Sequence, residues 1–521
     1  MKIVSREKLM RSPIFSWQKV ILALVSGMCM ALGTAPTSAW FLAWIAIAPL
    51  WVLIVTTPKQ IKTVAFYSLA WGIGYHGFAL FWITGVHPMT WLGVPWLASL
   101  GIATFCLVFI TLWGAAIVTM WGIGMVTLTP LTNPPLRILI GTALWCGLEG
   151  LWSQGPLFWS SISYTQSPNN LFILHLGQLS GPSTITAAIL IVNGCLAQAY
   201  LTWRRDRRLT ARYLSFAGSL LLGFHLIGWG LYNRPLAQLP NTALRVGIIQ
   251  GNIPNEIKLS PTGWQKAIEG YTTGYQALAD SGAQAVLTPE GALPFSWEEV
   301  KNTSFYAAVL EKKVVAWLGA FADRGSNSYS NALLTVTGSG EILSRYDKVK
   351  LVPLGEYIPF KEVLGGLINR LSPLQATQIP GAENQVFDTP FGKAIAAICY
   401  ESAFSQIFRY QAAIGGEFIL SASNDAHYSP TMPAQHHALD IMRAIETQRW
   451  TLRAVNTGYS GVIDPHGKTV WLSQLKTYQT HIATIFRLTT QTLYVRWGDW
   501  LTPSLLIAAG VGYFSLRFRA F

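Results

Sequence analysis

Charge is what this sequence has least of. Asp, Glu, Lys and Arg make up 12% of its 521 residues, against 51% apolar residues, about half the ordinary charged share of a soluble domain. A chain so poor in charge cannot turn its whole surface to water. The scarcity is also uneven: residues 1–239 hold 14 Lys/Arg and 3 Asp/Glu, whereas residues 240–498 hold 21 and 20. The net charge of +13 therefore sits mainly at the ends of apolar segments and not on a basic face that grips nucleic acid, so no nucleic-acid partner is expected. A glycine-rich phosphate loop, a CxxC pair and an HExxH helix are all missing, which leaves a nucleotide or metal cofactor unsupported.

Cysteine is sparse as well. Of five, Cys29, Cys106, Cys146 and Cys195 fall in apolar segments, where they read as small apolar residues. Only Cys399 lies in the polar half. It has no partner there for an intradomain disulfide, and an unpaired thiol in an oxidising compartment is a liability unless it is used.

Long apolar runs, by contrast, are plentiful. Stretches of roughly 17–25 apolar residues are transmembrane candidates, and seven precede residue 240: 20–35, 38–56, 64–84, 97–125, 136–153, 182–201 and 213–231. An eighth covers 500–516. Lys2, Arg6, Lys8, Arg11 and Lys19 give the first the look of a signal peptide. Six more spans follow it, however, and the Ala35-Pro36-Thr37-Ser38 turn leads straight into the next, so it reads as a retained helix. The basic N-terminus, the Lys59/Lys62 loop and the Arg204–Arg212 run fall on one side if every span crosses once, and the Lys- and Arg-free loops 85–96 and 154–181 on the other. Positive charge marks the cytoplasmic side. The expected organisation is a multi-pass α-helical membrane domain with seven transmembrane helices (1–232), an extracytoplasmic domain (233–498), and an eighth helix with a short cytoplasmic tail (499–521). Glu149, in the fifth span, is either a polar contact near a lipid headgroup or a helix-packing hydrogen bond. His76 and His87 read as interfacial hydrogen bonders, with no metal spacing around them.

From Leu244 the texture changes to short strands alternating with amphipathic helices, the pattern of a layered α/β domain. Strands are expected at 244–250, 284–289, 314–320, 329–337, 341–346, 392–399, 416–423, 451–456 and 459–463, and helices at 262–281, 296–312, 402–414 and 433–449. The pair 329–337 and 341–346, joined through Gly338-Ser339-Gly340, reads as a hairpin, so the sheet is mixed.

One stretch organises the rest. In Ala396-Ala397-Ile398-Cys399-Tyr400-Glu401-Ser402 an apolar strand stops at a thiol and enters a polar turn, a position both rigid and reachable, as a covalent nucleophile requires. Val286-Leu287-Thr288-Pro289-Glu290 is a second apolar strand ending in a carboxylate, and Arg345-Tyr346-Asp347-Lys348 a third segment ending in a cation. Glu290 can take the thiol proton and return it to a leaving group. Lys348 can stabilise the oxyanion formed by attack on a carbonyl, together with a backbone N–H near Cys399, and lower the thiol pKa. Glu356 can orient Lys348, act as a second acid or form a plain ion pair.

The ordered set Glu290, Lys348, Cys399 resembles the Glu-Lys-Cys triad of the nitrilase (carbon-nitrogen hydrolase) superfamily, which implies a nitrilase-like α-β-β-α sandwich. Gln250-Gly251-Asn252-Ile253-Pro254, Leu351-Val352-Pro353-Leu354-Gly355-Glu356-Tyr357-Ile358-Pro359, Cys399-Tyr400-Glu401 and Ser423-Asn424-Asp425-Ala426 are similar to segments of its apolipoprotein N-acyltransferase branch, as is Ala65–His87 in the membrane half. The resemblance implies a bacterial inner-membrane enzyme with its catalytic domain on the periplasmic side and Glu356, Tyr400 and Glu401 as supports. The acyl donor it implies is a membrane phospholipid. The acceptor is the α-amino group of the diacylglyceryl-modified N-terminal cysteine of an apolipoprotein, reached through a thioacyl-enzyme. Leu259, His427 and Glu149-Gly150-Leu151-Trp152 depart from the branch's pattern at positions that touch substrate preference before reaction type. The glycine-hinged apolar segment Val363–Leu371 reads as a lid or as an ordinary buried helix. Two other readings remain: a membrane-tethered amidase hydrolysing a small amide, for which one span would suffice, and a non-catalytic scaffold or transporter, against which the intact triad and the few intramembrane charges argue.

Overall fold

Alternation of apolar residues along the strands of the polar half sends successive side chains into two different layers. The computed structural model, which describes residues 16–129, 132–325, 327–358 and 376–518, folds these strands into two mixed sheets. The first holds β1 (Ala243–Gln250), β2 (Ala285–Leu287), β3 (Val315–Asp323), β4 (Ser328–Val336), β5 (Ile342–Asp347), β6 (Thr377–Gln378) and β13 (Gln479–Phe486), in the order 13-1-2-3-4-5 with β6 beside β4. The second holds β7 (Phe387–Thr389), β8 (Gly392–Ile398), β9 (Ile419–Ser423), β10 (Thr451–Val455), β11 (Gly461–Ile463) and β12 (Thr469–Leu472), in sequential order. β1, β2 and β3 run parallel, as do β8, β9 and β10, while the β4/β5 hairpin is antiparallel as expected.

Leu244, Val246, Ile248, Leu287, Trp317 and Leu333 face the interior between the sheets and meet Ala396, Ile398, Ile419 and Leu420. The alternate residues Ile249, Val286, Ala316, Leu318 and Leu334 pack outward on Tyr271, Tyr275, Phe305 and Val309, which belong to the helices Pro261–Asp280 and Ser304–Lys312. Helices Ser405–Ala413 and Thr431–Thr447 cover the second sheet. The result is an α-β-β-α sandwich in which each fully buried aliphatic side chain contributes about 1.5–3 kcal/mol.

Two expectations for this half need correction. The helix expected at 296–312 is two, Trp297–Val300 and Ser304–Lys312, because Thr303 starts a new one by accepting a hydrogen bond from the Tyr306 N–H. β6, β7, β12 and β13 lie outside the expected strands: the first two are only two and three residues long, β12 is a four-residue, half-exposed edge strand, and in β13 polar residues interrupt the apolar alternation.

Every apolar segment of the other half carries a helix, though not always one. Span 38–56 breaks into a 3₁₀ turn at Trp40–Trp44 and a short α-helix at Ala48–Val55, and span 64–84 begins as Ile61–Gly72 and loosens into a π-turn at Ile73–Gly77. Among the described residues three helices are long and apolar enough to cross a membrane, Trp96–Leu128, Pro182–Thr202 and Arg207–Tyr232, and shorter apolar ones include Trp17–Ala31 and Leu501–Leu516. The loop 154–181 is largely buried rather than exposed. Glu149 holds it as a packing hydrogen bonder: its carboxylate accepts from Ser161 Oγ (3.0 Å), Thr186 Oγ1 (2.9 Å) and the Ile162 N–H (3.0 Å). His76 pairs with Ser160 Oγ at 2.7 Å and His87 with Ser99 Oγ at 2.8 Å. The lid candidate Val363–Leu371 lies outside the described residues.

The two halves share one core, running from Trp71 and Trp145 through Phe158 and Trp159 to Tyr400, Phe404 and Leu439. Gln435 stitches the seam, accepting from Trp82 Nε1 and Trp159 Nε1 at 2.9 Å each and donating to the Ala79 carbonyl at 2.9 Å. The sandwich is therefore docked on the helices and not merely tethered at its ends.

Candidate active site

β8 delivers Cys399 at its last step, and the chain turns there with φ of +55°. A left-handed conformation costs a non-glycine residue about 1–2 kcal/mol, so the elbow must be held. The Ile398 N–H donates to Glu401 Oε2 at 2.7 Å. His436 Nε2 lies 2.9 Å from the Cys399 carbonyl oxygen, and the Asn424 backbone N–H is aimed at the sulfur.

Glu290 follows β2 in a loop laid against β3. Gly319 permits that approach, since a Cβ there would stand 1.9 Å from the Pro289 carbonyl oxygen. Lys348, 1% exposed, follows β5. Its Nζ donates to Glu290 Oε1 at 2.9 Å and to Glu356 Oε1 at 2.7 Å, while Asn331 Nδ2 donates to the same Glu290 oxygen at 2.7 Å. Glu290 Oε1 is thus doubly committed, and Oε2 accepts no hydrogen bond from the described residues. Glu356 Oε2 accepts from the Val352 N–H at 2.8 Å. Of the options left open for Glu356, orienting Lys348 and simple ion pairing coincide in this geometry.

Burial pushes the Cys399 thiol well above its ordinary range, and Glu290 adds to that push against the pull of Lys348. Lys348 lowers the thiol pKa, as expected, but desolvation and the carboxylate outweigh that pull. Burial also works against the Lys348 charge, but Glu290 and Glu356 more than offset it and hold the ammonium well above its usual value. The resting state is a protonated thiol beside a carboxylate and a fixed cation.

Two cavities meet at Cys399. A polar one of about 190 Å³ is lined by Glu290, Lys348, Glu356, Asn331, Lys258 and Asn424. An apolar one of about 200 Å³ runs past Tyr400, Phe158 and Met432 to Leu80, Ile83, Cys106 and Ile110 in the membrane half. Trp91, Val352, Gly355, His427 and Tyr428 border both.

The family "Carbon-nitrogen hydrolase" matches residues 245–494 and "Apolipoprotein N-acyltransferase N-terminal domain" matches residues 26–195. A protein of Nostoc sp. (strain PCC 7120) named apolipoprotein N-acyltransferase is 59% identical over 487 residues, covering 93% of this chain and 97% of that one. Another so named, from Synechocystis sp. (strain PCC 6803), is 49% identical over 509 residues, covering 93% and 98%. The chain belongs to the apolipoprotein N-acyltransferase family. Among solved structures, an amidase from Nesterenkonia sp. is similar at 19% identity and a TM-score of 0.38, covering 50% of this chain and 95% of that one.

In this apolipoprotein N-acyltransferase family member the other two supporting residues stand apart from the polar cavity. Tyr400 lines the apolar one. Its hydroxyl donates to the Pro156 carbonyl at 2.8 Å and accepts from the Phe158 N–H at 2.9 Å, and its ring stacks on Trp159 at 6.1 Å between centroids. Glu401 is fully buried behind Cys399, accepting from Tyr346 Oη at 3.0 Å and from the Val349, Lys350 and Ile398 N–H groups. It ties the Cys399 elbow to the strand end that carries Lys348, with burial pushing its pKa up to about 7 against those backbone donors. Tyr400→Phe keeps the stacking but strands a buried N–H and carbonyl, at about 1–3 kcal/mol. A lower apparent Tm in detergent, with Cys399 still able to react, is the expected result, and an unchanged Tm would remove Tyr400 from the seam.

Of the three departures from the family pattern, Leu259 lines the polar cavity and His427 lines both, stacked on Trp91 at 6.1 Å, whereas Glu149-Gly150-Leu151-Trp152 lines neither. Sequence reasoning missed Lys258 and Asn331, neither of which sits in a distinctive motif. It also missed the buried network beneath Cys399. There His436 Nδ1 meets Asp425 Oδ1 at 2.9 Å, and Arg453 donates to Asp425 Oδ2 at 3.1 Å and Asp440 Oδ2 at 2.6 Å. Cys399, Asp425 and His436 lie close enough to hold a metal ion. However, both His436 nitrogens already face oxygens and the Arg453 guanidinium occupies the carboxylate, so the donor set is committed to the protein.

Proposed function

We propose that this chain transfers a fatty acyl group from a membrane phospholipid, through a thioester on Cys399, to the α-amino group of the lipidated N-terminal cysteine of an apolipoprotein. Glu290 removes the thiol proton as sulfur attacks the ester carbonyl, and the oxyanion develops beside the Lys348 ammonium and the Asn424 N–H. The C–O bond breaks, Glu290 returns the proton to the leaving alkoxide, and a lysophospholipid departs. In the second half-reaction the neutral amine attacks the thioester carbonyl, Glu290 takes its N–H proton, the C–S bond breaks and the thiolate is reprotonated. Glu356 and Glu401 hold Lys348 and the elbow in register, and Tyr400 holds the acyl passage.

The observation that carries this reading is the meeting of the two cavities at one sulfur, the polar one with the acid–base groups and the apolar one leading to the helix Trp96–Leu128. A hydrolase of small soluble amides has no use for the second. Eight membrane crossings, with residues 233–498 on the periplasmic side of a bacterial inner membrane, agree with the apolar helices and with the lysines and arginines of the short loops.

Mass spectrometry of detergent-purified protein given phospholipid tests the reaction. An acyl-sized adduct on Cys399 is expected, absent in Cys399→Ala and discharged by a diacylated lipopeptide. Loss of the adduct to water at the same rate without the lipopeptide would convert the reading to hydrolase.

A further inference from the structure

Lys258 is a cation in the active-site cleft with no carboxylate to itself. It lies in the short turn Asn255–Lys258 and lines the polar cavity with Cys399, Glu290 and Lys348. Its Nζ donates to the Glu290 carbonyl oxygen at 3.0 Å, and it forms no ion pair among the described residues. The nearby carboxylates are engaged elsewhere, Glu290 by Lys348 and Asn331 and Glu356 by Lys348 and the Val352 N–H. An ammonium has three donors, so two remain. Burial and repulsion from Lys348 lower its pKa to about 8, although Glu290 and Cys399 pull the other way. A desolvated cation in this state gains from an incoming anion. A second group points the same way: Gln378 Nε2, of a side chain on the wall of the same cavity, is buried with no hydrogen-bond partner among the described residues and can donate.

Of the two substrates, only the donor carries an anion next to its scissile ester. With the acyl chain in the apolar cavity and the carbonyl at Cys399, the rest of the donor falls on the polar side. We propose that Lys258, assisted by Gln378, binds the phosphate of the phospholipid donor and so selects phosphate-bearing acyl esters in the first half-reaction. This rests on the function proposed above and adds to it the group that reads the headgroup.

The test measures Cys399 acylation in the full-length detergent-solubilised protein with two donors, dipalmitoyl phosphatidylethanolamine and p-nitrophenyl palmitate, which has an acyl chain and no phosphate. Lys258→Gln is expected to raise KM for the phospholipid by about 10- to 100-fold, the scale of one lost charge-assisted hydrogen bond. It is expected to lower kcat/KM for the phospholipid by far more than for p-nitrophenyl palmitate, and Lys258→Arg to restore most of the phospholipid preference. Equal loss with both donors, or an unchanged phospholipid KM, overturns the assignment. Failure of the wild type itself to take an acyl group from phospholipid would count against the proposed function, and is read separately.

Discussion

Glu290→Gln is expected to slow acylation of Cys399 by about 10²–10⁴-fold at neutral pH, the range for loss of a positioned general base. The geometry makes this substitution unusually clean. The amide oxygen can still accept from Lys348 and Asn331, as Glu290 Oε1 does at 2.9 and 2.7 Å, so the cavity keeps its shape while losing its proton acceptor. The thiol is buried and held well above its ordinary pKa, so at neutral pH little thiolate forms unaided. Removing the carboxylate also removes one of the pushes that keep the thiol protonated, while burial and Asp425 still work against the pull of Lys348. The variant should therefore recover with alkali: its acylation rate rises with pH as thiolate accumulates, while the wild type changes far less over the same range. Single-turnover adduct formation followed by mass spectrometry across pH reads both effects. A variant that acylates near the wild-type rate at neutral pH would mean that another group takes the proton.

How much of this could be read beforehand depended on range. Cys399, Glu290 and Lys348 each stand where an apolar strand gives way to a turn, a local pattern of a few residues, and the structure brings all three to one cavity. Lys258 looked like any solvated lysine, because its meaning comes from a carbonyl oxygen 32 positions away. His436 sits on an amphipathic helix whose composition is that of a core element, and its pairing with the Cys399 carbonyl and Asp425 spans 37 and 11 positions. The apolar runs marked the helical half well. Composition did not mark the breaks near residues 45–47 and 73–77, nor the docking of the catalytic domain, since an apolar seam between two halves is written in the same residues as an apolar core.

Arg453→Met is expected to destabilise the folded protein by about 3–5 kcal/mol, the usual result of removing one partner from a buried ion network. Arg453 is fully buried, and its guanidinium neutralises both Asp440 at 2.6 Å and Asp425 at 3.1 Å while donating to the Tyr459 carbonyl at 3.0 Å. Burial pushes both carboxylates up, but for Asp425 His436 and Arg453, and for Asp440 Arg453 and His436, hold them below the ordinary value. In the wild type their contribution to stability is present above the unfolded carboxylate pKa and is lost as pH falls through the depressed folded value. Without the guanidinium burial dominates and the folded values rise, so the sign reverses: the variant loses stability as pH rises past the unfolded value. The Tm gap between variant and wild type should accordingly narrow from neutral pH toward about pH 5, and Asp440→Asn in the same chain should recover part of the loss by removing one stranded charge. Because Asp425 orients His436, and His436 holds the carbonyl of the strained Cys399 elbow, the surviving folded variant should also acylate slowly, with a loss that the Asp440→Asn rescue of stability does not repair. A Met variant as stable as wild type at neutral pH would mean that the two aspartates do not need the charge between them, and the elbow would then owe its position to β8 and Glu401 alone.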